Sequence, residues 1–207
     1  MIRGSTVDAY VAGRDCAKRY DETRLGGADA ARLAKYPQLA QRDDWRVSRF
    51  LKQQQTDNGK PCSLSHSGGV ALWVCGGEAV GADIEYLRPR NFSAWYGSGV
   101  IHAHEQAWLV QQKDVLTAYY AIWTLKEALI KALAWDFADL AAVGLRRVCG
   151  QWGLHGGGQA WQGGVWRLSA DYVAACVWQG ADNGMRWHGY GEWQGLTAQR
   201  LWYWDKV

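Results

Sequence analysis

The segment Trp123-Thr-Leu-Lys-Glu-Ala-Leu-Ile-Lys-Ala132, WTLKEALIKA, sets two lysines and a glutamate inside an otherwise apolar run. Wound at about 3.6 residues per turn, Tyr119, Ile122, Trp123, Leu129, Ile130 and Leu133 form one stripe. Ala118, Ala121, Ala128 and Ala132 fill its flank, so the helix is expected to pack on more than one side. Lys126 projects from the middle of the stripe, while Glu127 and Lys131 stand four apart on the narrow polar edge. Taken alone, that pair reads as a surface ion pair, and Lys126 as a stem laid over the core with its head in water. The remaining chain has to supply partners before these charges acquire a role.

The bulk properties bound the answer. The chain has 207 residues, 48% of them hydrophobic, which is enough for one core or for two small halves that share one. Its 14 Trp each carry a large apolar body and one N–H, so some are expected at half-buried edges. A net charge of +3 is too mild for a nucleic-acid binder, yet it suits small polyanions or an acidic protein partner. Cys16, Cys62, Cys75, Cys149 and Cys176 are odd in number and scattered, which speaks against a disulfide framework or thiolate zinc site and for a reducing compartment. The amino terminus lacks the apolar stretch of a signal peptide, and no run reaches the roughly 18 apolar residues of a membrane span. A cytoplasmic protein is expected.

Strands are predicted at Thr6–Ala12, Val70–Cys75 and Glu78–Tyr86, and helices at Ala28–Tyr36, Arg42–Gln54, His104–Lys113 and Val115–Trp135. Residues 56–61 read as a loop. Gly76-Gly77 permits either a tight hairpin or a junction between halves. From Gly144 onward short β-prone runs alternate with Gly-rich turns. Clustered helices among short strands define an α+β class with mainly antiparallel sheet.

Two further segments carry chemistry. In Ala79-Val-Gly-Ala-Asp-Ile-Glu85, strand alternation sends Val80, Ala82 and Ile84 to the core and lines up Gly81, Asp83 and Glu85 opposite. Adjacent carboxylates repel unless a cation or water separates them, and their hard oxygens suit Mg²⁺; a solvated strand face is the plainer reading. In Cys62-Ser-Leu-Ser-His-Ser-Gly-Gly69, His66 and its serines offer donors for a phosphate, or else form a turn around a hydrogen-bonded histidine. No G-x-S-x-G elbow supports a serine hydrolase. His102-Ala-His-Glu105 lacks a third zinc ligand and reads as a helix start.

In this order, S-x-S-H-S, V-G-A-D-I-E and W-T-L-K-E-A-L-I-K, the chain resembles the 4′-phosphopantetheinyl transferase superfamily, in particular its larger monomeric branch. The resemblance spans about Gly59 to Leu133 and is most specific at Trp123, Lys126, Glu127 and Lys131. It implies two similar α/β halves related by a pseudo-twofold axis, here 1–77 and 78–207, with coenzyme A between them. It implies transfer of 4′-phosphopantetheine from coenzyme A to a serine of an apo-acyl or peptidyl carrier protein, with release of adenosine 3′,5′-bisphosphate. Carried over, Asp83, Glu85 and Glu127 hold Mg²⁺, and Glu127 is also the candidate base. Lys131 contacts the phosphates; Lys126 does likewise or fixes the neighbouring carboxylates. His66 and Ser65 bind coenzyme phosphate, Gly59-Lys60-Pro61 lies along the adenine nucleotide, and Arg46 is the basic residue of the preceding helix. Only Cys62-Ser63-Leu64 separates the G-K-P and Ser-His-Ser elements, fewer residues than is usual in the family. Two alternatives stay open: a silent coenzyme-binding scaffold, and a metal-dependent phosphodiester hydrolase acting on water.

Overall fold

The computed structural model describes residues 5–55, 59–98, 100–180 and 182–206. The predicted loop at 56–61 thus falls partly outside the described residues, as does the start of the amino-terminal segment.

Two sheets form the frame. The smaller contains β1 (Ser5–Ala12), β2 (Cys62–Ser67), β3 (Val70–Cys75) and β9 (Asp182–Tyr190), in the order β2-β3-β1-β9. The larger runs β4-β8-β7-β6-β5, with β10 also paired to β7. Its strands are β4 (Ala79–Tyr86), β5 (Gly144–Val148), β6 (Gln151–Gly156), β7 (Gln159–Arg167), β8 (Tyr172–Gln179) and β10 (Gln199–Trp204). The β1–β9 pair is parallel and the other ladders described are antiparallel. With helices α1 (Gly27–Lys35), α2 (Asp43–Gln53), α3 (Ser93–Gly97), α4 (Ala103–Leu109) and α5 (Val115–Leu133), the class is α+β.

Period-two alternation sorts the layers. Val7, Ala9 and Val11 of β1 join Val70, Leu72 and Val74 of β3 against Val80, Ala82 and Ile84 of β4, so the two sheets share a core. The opposite face of the small sheet takes Val47, Phe50 and Leu51 of α2. The opposite face of the large sheet takes α5, whose Ala118, Ala121, Ile122, Leu125, Ala128 and Leu129 are buried. This helix starts where Asp114 accepts the Thr117 N–H at 3.1 Å, and ends at Ala134 in the left-handed region. Small residues let it approach β4 so closely that a Cβ on Gly81 would lie 1.8 Å from the Ala128 carbonyl oxygen.

Several expectations change in three dimensions. Gly76-Gly77 is a junction, because β3 and β4 belong to different sheets. The Ser-His-Ser segment is a strand and not a turn, since β2 pairs with β3 along its length. The same register sets Cys62 opposite Cys75, with Cα atoms 4.2 Å apart, and the two are disulfide-bonded. The cysteine-based expectation against a disulfide framework is corrected by this one bond, because spacing in sequence carries no information about cross-strand register. Among the described residues no helix is long and apolar enough to cross a membrane. The packing of β4 on α5 carries a direct consequence. Gly81→Ala should lower stability by about 3 kcal/mol, since neither backbone can retreat from the new methyl, and urea unfolding will measure it.

Candidate active site

Strand and helix each deliver acidic groups to one point. Asp83 and Glu85, two apart on β4, project from the same face, and Glu127 comes down from α5. Each offers a carboxylate oxygen within 4.8 Å of the others. Asp83 is buried, and its Oδ1 accepts from the Ser65 hydroxyl at 2.6 Å and from Lys131 Nζ at 2.6 Å. Glu85 accepts from Ser67 Oγ at 2.8 Å and from Trp123 Nε1 at 3.2 Å. Lys131 also lies 3.5 Å from Glu127, so one ammonium serves two of the acids.

The electrostatics follow from crowding. Burial, with Asp83 next in importance, pushes the Glu127 carboxyl up to about 7. Burial likewise raises Asp83, with Lys131 offsetting part of the effect. Asp83 Oδ2 is buried without a hydrogen-bond partner. A partnerless buried oxygen beside two more carboxylates suits a small hard cation, and the all-oxygen donor set fits Mg²⁺.

The acids form one wall of a cleft of about 830 Å³, whose other wall presents Arg42, Trp45, Arg49 and His66. Arg42 pairs with Asp44 at 2.6 Å, and Arg49 lies 3.0 Å from Asp29 with its guanidinium over the Trp45 ring. His66 Nδ1 stands 3.7 Å from Asp44, and burial lowers its pKa against the pull of that carboxylate. Phe137, largely exposed, also lines the cleft and stacks near Trp123.

Not every expected residue arrives. Lys126 is fully buried on the far side of α5, 3.1 Å from Glu105 and hydrogen-bonded to the Val100 carbonyl. It therefore neither reaches a phosphate nor touches the acidic group. Arg46 donates to the Ala40 carbonyl at 2.5 Å and does not line the cleft. Lys60, in the G-K-P element just before β2, lines a neighbouring pocket that shares Arg49. Ser65 borders the cleft, but its proton is directed to Asp83. Arg42 and Arg49 were not singled out from sequence. Their spacing of seven, which returns a residue to the same side of a helix after two turns, was the available signal. His102 caps α4 reciprocally with Glu105, as a helix start should.

A profile of the 4′-phosphopantetheinyl transferase superfamily matches residues 79–177, from β4 through α5 to β8. The chain is similar to the 4′-phosphopantetheinyl transferase AcpT of Salmonella typhimurium, 31% identical over 134 residues, or 53% of this chain and 70% of that protein. It is 32% identical to AcpT of Escherichia coli K12 over 128 residues, covering 50% and 66% of the two chains. A putative 4′-phosphopantetheinyl transferase of Haemophilus influenzae is 33% identical over 102 residues, 43% of either chain. The chain belongs to the 4′-phosphopantetheinyl transferase superfamily, and it is a transferase.

Two measurements test this geometry. A carboxyl raised in the folded state stabilises below its unfolded pKa, and that contribution is lost as pH rises through the folded value. In chelator, the melting temperature of the wild type relative to Glu127→Gln should fall by about 5 °C between pH 5.5 and 8; parallel curves would contradict the burial argument. Lys126→Met should cost about 3–5 kcal/mol in urea unfolding by stranding buried Glu105, and Lys126→Met combined with Glu105→Leu should recover part of it.

Proposed function

We propose that this protein transfers 4′-phosphopantetheine from coenzyme A to a serine hydroxyl of an apo-carrier protein, acyl or peptidyl, with Mg²⁺ as cofactor. The observation that carries the reading is the convergence of Asp83, Glu85 and Glu127 beside Lys131, across one cleft from a basic wall. Attack on a pyrophosphate meets concentrated negative charge, and catalysis of such a transfer is mostly positioning and charge neutralisation. A divalent cation held by the three acids supplies that neutralisation when bound.

The chain's own side chains do the rest. Arg42, Arg49 and His66 line the wall where the coenzyme's other phosphates would lie. Lys131, part-exposed at the cleft and bonded to Asp83, would turn a donor toward the pyrophosphate if a bound cation took over the charge of Asp83. Glu127, at the cleft beside Asp83 and Lys131, is the residue we assign to accept the proton of the carrier serine. The serine oxygen bonds to the β-phosphorus and the bond from that phosphorus to the bridging oxygen breaks. Adenosine 3′,5′-bisphosphate then leaves with the bond's electron pair.

The test is direct. Incubated with coenzyme A, Mg²⁺ and a panel of apo-carriers, the protein should add the mass of one phosphopantetheinyl group to a carrier serine. Glu127→Gln and Lys131→Ala should each lower kcat/KM by about 10²–10³-fold. Release of phosphopantetheine without a carrier would indicate hydrolysis instead, and coenzyme binding without turnover would indicate a silent scaffold.

A further inference from the structure

The two sheets meet edge to edge where β2 runs beside β4, and no backbone ladder joins them there. Alternate residues of β2 close the gap. Ser63 Oγ accepts the Ala82 N–H at 3.0 Å, Ser65 Oγ accepts Ile84 N–H at 3.4 Å, and Ser67 Oγ accepts Tyr86 N–H at 3.2 Å. These N–H groups point away from β8, so the serines satisfy an edge that would otherwise lack acceptors.

Each hydroxyl keeps one proton to donate. Ser65 gives it to Asp83 Oδ1 and Ser67 to Glu85 Oε2, at 2.6 and 2.8 Å. In the same register Ser63 faces Gly81, which has no side chain to receive it. One repeated contact thus occurs twice with a carboxylate and once without.

We propose that Ser65 and Ser67 are positioning residues of the acidic site: by gripping both the β4 backbone and the carboxylate it carries, they fix where Asp83 and Glu85 present their remaining lone pairs. The inference rests on reading the three acids as a divalent-cation site. It also gives the Ser-x-Ser-x-Ser alternation a single explanation, since a turn has no use for hydroxyls at every second residue. Ser65, its proton committed to Asp83, is then a support of the acidic wall and not a phosphate donor.

Ser63 provides the control. Ser63→Ala, Ser65→Ala and Ser67→Ala each strip one acceptor from the β4 edge, so all three should lower the urea midpoint. Only the latter two should weaken Mn²⁺ binding, by about tenfold, as loss of a support behind a metal ligand commonly does. The readout is electron paramagnetic resonance of free Mn²⁺, titrated into folded, coenzyme-free protein. Ser67→Thr, which keeps the hydroxyl, should bind within about twofold of wild type on the same scale. If Ser65→Ala does not fold, Ser67→Ala, nearer the strand end, decides alone. Equal Mn²⁺ affinity in Ser67→Ala and Ser63→Ala overturns the positioning role while leaving the cation site intact. A wild-type protein that binds no Mn²⁺ overturns both.

Discussion

The seam between β2 and β4 is the constraint on which the rest of this structure depends. Two sheets of a small protein can share a core by stacking, but their outer edges still expose N–H groups that need acceptors. Here side-chain oxygens from one strand stand in for the carbonyls of a ladder. A ladder would have brought the strands into one continuous sheet. Serine hydroxyls keep them as two sheets, and the cleft follows the line where they meet. Two of the three clustered acids, Asp83 and Glu85, are on the strand that receives those bonds, so the seam and the acidic cluster adjoin.

Helix α5 completes the site by a matter of phase. Successive residues on a helix differ by about 100°, which sends adjacent Lys126 and Glu127 in unrelated directions. Lys126 enters the core, where Glu105 answers its charge, while Glu127 turns toward β4. Lys131, one turn after Glu127, returns to the same side and reaches Asp83. The helix can be nearly apolar all round because it is covered by the large sheet on one side and also packs against α4 and the short 3-10 turn Phe137–Ala142. Its charges therefore occupy two separate environments. A buried pair locks the helix axially, and a half-exposed pair serves the cleft.

Legibility in the sequence divides along the range of the interactions involved. Helix α5, the alternation of β4 and the helix start at His102 were readable because each depends on neighbours within a few residues. Where Lys126 points was ambiguous, since its buried partner Glu105 lies on a different helix. Residues 62–67 were open between phosphate donors and a turn, although Ser63, Ser65 and Ser67 already showed a strand's period of two. A short polar strand bounded by Gly-Gly mimics a turn, and only its pairing with β3 separates the two. The Cys62–Cys75 bond was hidden for the same reason. The acidic trio was reached through family resemblance rather than through spacing, because no local rule connects Asp83 to Glu127 across a hairpin-free stretch of chain.

The balance of charge explains how three acids can share one site. Three carboxylates within 4.8 Å would repel strongly if all were ionised and dry. Lys131 removes part of that repulsion, a raised Glu127 pKa removes another part by holding a proton near neutral pH, and hydroxyl and indole donors absorb more. These three devices differ in how easily they yield. A proton leaves Glu127 readily and a lysine stem can swing, whereas each serine oxygen that donates to a carboxylate is also held by a backbone N–H of β4. A cation entering the site would thus displace the mobile compensations first and keep the fixed ones. Geometry would then be preserved while charge is exchanged, which is what a preorganised phosphate-transfer site needs of its protein.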